Sequence, residues 1–296
     1  MDVRSPDTPS ILTNVTDMTF TLYDPCNFII VNAQSMTSDA TGKYFYKHTL
    51  SSTATYGRYK TRAIATGGSY AVIDNEFFVM PWNAVLDIRT TMGLGTDEKS
   101  IDDDAINHIT WNSYQYALRD IFTHHYVESP NPDPTNGYMF NGTNTSFKTK
   151  YYPLADITGD GNIWGSGDTV SCGSDITCYW VDNNGRHQEG KVKVISPLTG
   201  EISIYQYDGT SAIPQDNEGV YLDYWVRSWR YDEYLFQQAV VRLACHEISR
   251  RLTTLDKVTL ADIRNNNPII MINPNLFMNE YQRYIKRNRE MVLGGV

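Results

Sequence analysis

Residues 100–122 read SIDDDAINHITWNSYQYALRDIF, and this stretch decides the fold class of the middle of the chain. Apolar residues recur there at helical spacing and predict one buried helical face: Ile101, Ala105, Ile109, Ala117 and Ile121. Ser100 followed by Asp103 resembles a capping box with Asp in place of Glu, and the run 102–104 lies where the helix dipole favours anions. The stretch therefore predicts a helix of about six turns.

Two further segments complete a predicted helical core. Residues 81–93, PWNAVLDIRTTMG, predict a short helix that ends at Gly93. Residues 231–252, YDEYLFQQAVVRLACHEISRRL, predict a long helix, and neither long helix can bury its apolar face alone, so we expect the two to pack together. The inward residues of the second long helix are expected to be Phe236, Val240, Leu243, Ala244 and Ile248.

Strands are predicted on both sides of the first helices, which makes the fold class α+β. Residues 1–80 contain short apolar runs separated by turn residues, as in an immunoglobulin-like β-sandwich. Residues 128–150 have the composition of a loop, and strands return from about 151 to 224. The predicted domains are an N-terminal sandwich, a helical core, a β-rich insertion and a basic C-terminal arm: residues 1–80, 81–127 with 225–275, 128–224, and 276–296.

Composition excludes several classes of protein. The 296 residues carry a net charge of −9, which argues against a protein that binds nucleic acid over its whole surface. No apolar run approaches the roughly 20 residues that cross a membrane, and residues 1–10 contain no apolar signal core. The 21 tyrosines and 6 tryptophans are typical of a protein interface or of strand packing.

The charge is unevenly distributed. Residues 225–296 carry 11 Lys and Arg against 7 Asp and Glu, a net charge of +4, whereas the first 224 residues carry 14 basic and 27 acidic side chains, a net charge of −13. This asymmetry predicts an end that meets an acidic partner or DNA; a merely solvated helix face is the alternative. The residues expected to dock are Tyr281, Arg283, Lys286, Arg287, Arg289 and Leu293.

One acidic loop resembles the first half of a calcium-binding loop. Positions 1, 3, 5 and 7 of such a loop fall on Asp156, Thr158, Asp160 and Asn162, with Gly161 at the sharp turn. Position 12 is Gly167, where calcium loops have a bidentate Glu, so a Gly/Asp turn between strands is the alternative. Calcium is the one cofactor considered, and otherwise no cofactor is expected.

The remaining histidines and cysteines do not form a recognisable active site. His246-Glu247 lacks the second histidine of a zinc protease motif, because position 250 is Arg, and predicts a surface pair. His124-His125 predicts a positive group at a helix end. Cys172 and Cys178 have hairpin-like spacing, but two free thiols are favoured over a disulfide. The chain is therefore interpreted as a non-enzyme.

The order of these segments resembles the head–tail connector (adaptor) proteins of tailed viruses. In that family an acidic-capped helix of the form S-I-D-D-x-A-I is followed by a "tG-x-I" hairpin and a helix of the form A-V-x-x-L-A. Here these are residues 100–106, residues 199–202 and residues 239–244. The resemblance covers about half of the chain, 78–122 and 192–252, and does not extend to the N-terminal sandwich or the long insertion.

This resemblance implies a structural virion protein that is made in the host cytoplasm. It implies a homo-oligomeric ring, usually dodecameric, that docks on the portal protein, extends the DNA channel and carries the tail or a tail-completion protein. The C-terminal segment would be an arm that reaches into the portal. An acidic body with a basic end suits a ring, and an acidic channel would let genomic DNA slide. No membrane is involved.

A second functional class remains open, a carbohydrate- or receptor-binding β-sandwich. Aromatic residues in the N-terminal region are candidates to stack on sugar rings, although strand packing explains such a pattern equally well. The residues concerned are Tyr44, Phe45, Tyr46, Tyr59 and Tyr70.

Overall fold

The computed structural model shows a mixed α+β protein that divides into two compact units, Met1–Pro81 and Trp82–Val296. Each unit is described by itself below. The structure describes residues 17–40, 43–66, 71–94, 101–130, 146–168, 173–181, 184–206, 219–229, 231–255 and 274–293.

The first unit is built from β-strands. Its four-stranded antiparallel sheet has the order β2-β1-β5-β6, and a separate ribbon pairs β3 with β4. The bounds are β1 Asp17–Tyr23, β2 Ile29–Ser35, β3 Thr37–Ala40, β4 Lys43–Phe45, β5 Gly57–Thr66 and β6 Ala71–Val79.

Apolar and polar residues alternate along these strands, so the apolar side chains lie together on one buried face of the sheet. Met18 and Ala63 pack with Tyr44 of the ribbon, and Leu22 packs with Val31 and Tyr59. The other face carries charged pairs between β5 and β6, which are exposed. The unit is therefore a sheet whose apolar side is covered and whose charged side faces solvent.

Among the residues that the structure describes, the second unit contains four helices and a second sheet. The helices are α1 Ala84–Met92, α2 Asp103–Ile121, α3 Glu233–Leu255 and α4 Pro274–Leu293. The sheet is antiparallel, with the order β7-β12-β9-β10-β11-β8. Its strands are β7 Thr123–Glu128, β8 Ser146–Lys148, β9 Ile176–Val181, β10 His187–Ser196, β11 Glu201–Gln206 and β12 Gly219–Val226.

All four helices contribute to one apolar core, and α2 and α3 run antiparallel. Tyr114 of α2 packs on Phe236 of α3, with ring centroids 5.7 Å apart, and Phe122 at the end of α2 packs on Tyr231 just before α3. The predicted inward residues of α3 are buried. The shared cluster contains Ile88, Met92, Ile106, Ile109, Val241, Ala244, Cys245, Ile248 and Phe277.

The start of α2 differs from the prediction. Asp102, and not Ser100, is the N-cap, because its carboxylate accepts a hydrogen bond from the Ala105 N–H at 2.6 Å. Ala105 is exposed, so its assignment to the helical core is wrong, and Ile106 takes that place in the buried face. The helix begins later than the capping box implied, whereas Ile109, Ala117 and Ile121 are buried as predicted. Ile101 is partly buried against the helical core.

Asp103 forms an ion pair with Arg89 of the neighbouring helix α1. Its Oδ1 accepts hydrogen bonds from Nε and Nη2 of Arg89 at 3.0 and 2.7 Å, and Arg89 is buried. At the end of α1, Gly93 adopts φ +69° and its N–H donates to the last carbonyls of the helix, as predicted for its C-cap.

The sheet of the second unit begins earlier and contains more strands than the sequence predicted. Residues 123–128 form β7 at the end of the first helical segment, and Ser146–Lys148 form β8 within the predicted loop 128–150. Both pair with distant strands, β7 with β12 and β8 with β11. Short polar strands of this kind are specified by their partners and not by their own composition.

Candidate functional site

The last helix, α4, is anchored along its first three turns. His246 Nδ1 lies 2.8 Å from the Pro274 carbonyl oxygen, and Arg242 forms an ion pair with Glu280 at 3.0 Å. These contacts step backwards along α3 as α4 advances, so the two helices are antiparallel. His246 is buried because α4 packs over it, so the prediction that it forms a surface pair is wrong.

The predicted C-terminal arm is therefore a packed helix over part of its length. Phe277, Tyr281 and Ile285 are buried, and the Tyr281 hydroxyl donates to Asp120 Oδ2 at 2.9 Å. Tyr281 belongs to the helical core, so its assignment to an exposed docking arm is wrong. Phe277, Tyr281 and Ile285 lie four positions apart and so share one face of the helix, which packs on the core. This part of the predicted arm is therefore not an exposed segment.

The basic residues of α4 lie on the opposite side of the helix. Arg283, Lys286 and Arg287 are exposed. Arg289 and Leu293 belong to the helix, and their side chains lie outside the described residues. The structure thus brings three of the predicted docking side chains to one solvent-facing surface, which we call the basic face of α4.

The loop that begins at Asp156 is organised by carboxylates that accept backbone hydrogen bonds. Asp156 Oδ1 accepts from Gly159 N at 2.6 Å, Thr158 Oγ1 at 3.0 Å and Asp160 N at 3.3 Å, and Oδ2 accepts from Gly161 N at 2.8 Å. Asp160 Oδ1 accepts from Asn162 N at 2.9 Å. All four predicted calcium ligands are brought together, and they bond to one another.

Sequence reasoning missed the third carboxylate, Asp175. It is buried, and its oxygens accept from Ile157 N at 2.8 Å, Thr158 N at 3.0 Å and Trp164 N at 2.7 Å. Asp175 lies 19 residues after Asp156, immediately before β9, and no local pattern links them. We call Asp156, Asp160 and Asp175 the carboxylate cluster.

Burial shifts the titration of the carboxylate cluster. Loss of solvation, with the charge of Asp156 adding to it, raises the pKa of Asp160 to about 6 and that of Asp175 to about 7. Burial also raises the pKa of Asp156, against the effect of its four hydrogen bonds. The cluster therefore takes up protons near neutral pH.

The loop joins the sheet to the helices within the second unit. Gln115 Nε2 of α2 donates to the Thr158 carbonyl oxygen at 2.9 Å. Gly159 has φ +72°, and a Cβ there would lie 2.6 Å from Tyr114 Cε1 and 2.8 Å from Leu118 Cδ1. Only glycine fits this close approach to α2.

The carboxylate oxygens of the cluster are directed at the loop's own N–H groups. Asp156 Oδ1 alone accepts three hydrogen bonds from the loop. Within the stretches that the structure describes, no group of three or more His, Cys, Asp or Glu side chains is arranged to hold a metal ion. Calcium binding stays a prediction, and a calcium titration of the melting temperature tests it.

The two adjacent histidines lie in strand β7 and not at a helix end. The His124 ring stacks on Trp225 with centroids 4.5 Å apart, and the His125 ring stacks on Tyr151 at 4.2 Å. Burial lowers the pKa of His125. The prediction of a positive helix-terminal group is wrong, because α2 ends at Ile121 and the chain then pairs with β12.

The cysteines Cys178 and Cys245 are free and buried. Burial raises the pKa of both thiols to about 12, which keeps them protonated and unreactive. Cys172 lies outside the described residues. Because Cys178 is free, it is not part of the disulfide that its spacing allowed.

Most of the aromatic residues considered for sugar stacking are used in packing. Tyr44 and Tyr59 are buried, and Tyr46 stacks on Phe20 with centroids 5.0 Å apart. Phe45 is half exposed, and Tyr70 lies outside the described residues. A different surface of the first unit carries a shallow groove of about 340 Å³, on the charged side of the sheet next to Tyr23.

Among the described helices, none is both long enough and apolar enough to cross a membrane. Comparison with known proteins adds no relative: the chain matches no protein-family model, no curated protein and no solved structure.

Proposed function

We propose that this chain is a head–tail connector protein of a tailed virus, which forms a ring on the portal, extends the DNA channel and carries the tail. The observation that carries the proposal is the construction of α4. Its apolar face is fixed to the helical core by Phe277, Tyr281 and Ile285, while its basic face is presented to solvent. A chain with a net charge of −9 thereby displays a rigid cationic surface suited to an acidic partner such as a portal.

The fold supports this proposal by its order. An acidic-capped helix, α2, is followed by strands and then by α3, which packs antiparallel to α2. We infer that this helical core is the adaptor core and that the strands between α2 and α3 are its insertion. The first unit is proposed to be an immunoglobulin-like sandwich, in which the ribbon β3-β4 belongs to the layer that covers the sheet.

The proposal includes the rest of the assembly. The ring is homo-oligomeric and dodecameric, its partners are the portal protein and a tail protein, and genomic DNA passes through it. The protein is made in the host cytoplasm and resides in the virion. It acts structurally, without catalysis, and calcium is the one cofactor that remains to be tested.

Portal binding by charge-neutral variants tests the proposed docking face. The triple variant Arg283→Gln, Lys286→Gln, Arg287→Gln removes three exposed cations from α4. Because opposite charges steer and stabilise such contacts, we expect its affinity for the portal of the same virus, measured by co-sedimentation, to fall at least tenfold.

The first unit offers a matched control with the same residue types, Arg58→Gln, Lys60→Gln, Arg62→Gln. Equal portal binding by the α4 triple variant and wild-type protein would overturn the role of the basic face. Deletion of residues 276–296 is a poor substitute, because it removes buried core residues as well.

A second candidate function is supported by the groove on the first unit. Arg62 and Asp74 form a bidentate pair there, with distances of 2.8 and 3.0 Å, beside the Tyr23 ring and Asn27. Planar polar side chains next to an aromatic ring are suited to sugar hydroxyls and to the apolar face of a sugar. A glycan array with wild-type protein and Tyr23→Ala tests it: binding that the variant loses supports a carbohydrate-binding module, and no binding rejects it.

A further inference from the structure

We propose that Trp229 of one copy inserts into the groove between α2, α3 and α4 of the next copy and so closes the ring head to tail. This inference deepens the proposed function, since it names the contact between neighbouring subunits. The residues of the helical groove are Ile109, Asn112, Ser113, Tyr116, Asp120, Leu243, Glu247, Arg251, Met278, Tyr281 and Gln282.

Trp229 is an exposed side chain that contacts one neighbouring ring. It lies between β12 and α3 and is 67% exposed. Its indole meets the Tyr152 ring edge-on, with centroids 5.9 Å apart, and the Lys148 ammonium lies 4.4 Å from the same Tyr152 ring. The Arg227 N–H donates to the Pro153 carbonyl oxygen at 3.0 Å and fixes the chain beneath it.

We call Trp229, with Tyr152 and Lys148 at its base, the Trp229 knob. A tryptophan has only two side-chain torsions, so it loses little conformational entropy on binding, and it can bury a large apolar area. Tryptophan is also among the residues most enriched at the positions that dominate interface energies. The knob therefore has the composition of an interface.

The helical groove has the size and lining to receive an indole. Its volume is about 430 Å³, within the usual range of small-molecule pockets. Ile109, Leu243 and Met278 supply apolar lining, and Tyr116, at 59% exposure, stands beside them with its ring largely in solvent. Methionine and tyrosine adapt readily to an inserted aromatic ring.

Side chains of opposite charge lie on the two surfaces. Asp120 and Glu247 line the groove, and the Lys148 ammonium lies at the base of the knob. The reverse pairing is also present. Arg251 lies in the groove, whereas Asp232 and Glu233 follow the knob at the start of α3. Complementary charges of this kind set the register of a contact more than its strength.

The knob and the groove are different surfaces of one unit. Trp229 is not among the residues that line the groove, and Leu243 lies ten residues beyond the start of α3, about 15 Å along the helix axis. A contact between two different surfaces of identical chains is heterologous, and it repeats until a ring closes or a filament grows. A second copy of this chain is therefore the occupant that completes a ring.

Two single variants and their mixture test the contact. Trp229→Ala removes the knob but keeps the groove, and Asn112→Trp, at an exposed position on α2, fills the groove but keeps the knob. Each variant alone is expected to remain monomeric in sedimentation velocity with and without portal, with self-association weakened by about 30-fold or more. An equimolar mixture retains one intact contact and is expected to give dimers and nothing larger.

Tyr126→Ala is the matched control, because Tyr126 is 68% exposed and lies in β7, outside both surfaces. Gln282→Trp fills the same groove from α4 and replaces Asn112→Trp if that variant fails to fold. Rings formed by Trp229→Ala overturn the inference and leave the proposed function standing. A wild-type chain that stays monomeric and ignores the portal overturns both.

Discussion

The basic face of α4 and the carboxylate cluster are both groups of like charge, but the first is exposed to solvent and the second is enclosed by its own loop. The cations of α4 point into solvent, and the helix is held by apolar residues beneath them. The carboxylates of the cluster point inward and accept the N–H groups of their own loop. Charge enclosed by the hydrogen bonds of its own loop is a poor candidate for binding a partner, whereas charge exposed on a packed helix is a better one.

The largest expected effect tests the apolar anchoring of α4. Phe277→Ala removes a buried ring from the core shared with α3 and is expected to lower the free energy of unfolding by about 3–5 kcal/mol. Denaturant unfolding of the full chain measures it. Leu276→Ala, at the neighbouring exposed position, is the control and should change the free energy by less than about 1 kcal/mol. Similar losses for the two variants would contradict the anchored helix.

The next effect tests the structural role of the cluster. Asp175→Asn keeps the shape of the side chain, but its amide cannot accept all three N–H groups, so a buried donor is left unsatisfied. We expect a loss of about 3 kcal/mol in the free energy of unfolding. Asp104→Asn at the exposed start of α2 is the comparison and should be nearly neutral. A neutral Asp175→Asn would show that the loop does not depend on this carboxylate.

The pH dependence of stability sharpens the same contrast. The pKa values of about 6 for Asp160 and about 7 for Asp175 exceed the value of about 3.9 in the unfolded chain. Between about pH 4 and pH 7 the folded state therefore binds more protons than the unfolded state. This contribution is fully present below about pH 4 and is lost as the pH rises through 7. The destabilisation by Asp175→Asn is therefore expected to shrink between pH 5 and pH 8 in melting experiments. A penalty that grows with pH would reverse the assigned direction.

The smallest effect is expected on the basic face. Replacing Arg283 and Arg287 by Gln should change the free energy of unfolding by less than about 0.5 kcal/mol, because both side chains are exposed. The same double variant should lose affinity for the portal. A loss of stability above about 1 kcal/mol would mean that these cations serve the fold, and the contrast with the carboxylate cluster would fail.

Much of the fold follows from local pattern. The helices α1 and α3 lie close to their predicted positions, and the strands β9 to β12 fall in the region where strands were expected, because hydrophobic periodicity and the turns at Gly93 and Gly200 are local signals. The residues that differ depend on distant partners. Asp175 acts on a loop 19 residues away, His246 is buried by a helix that starts at Pro274, and β7 forms only by pairing with β12.

Only part of the candidate docking surface could be predicted from the sequence. Charge counting located the basic end of the chain, but it gave no reason to separate Tyr281 from Arg283. That separation requires knowing which side of α4 meets α2 and α3, which only the packed core defines. Trp229 carried no sequence signal, since exposure of a single tryptophan depends on the path of the chain between β12 and α3.

Electron microscopy of the chain mixed with the portal of the same virus tests the central claim most directly. The account predicts closed rings of this protein, coaxial with the portal and stacked on one end of it, in class averages at saturating protein. Portal particles without added density, beside a chain that remains monomeric, would contradict it.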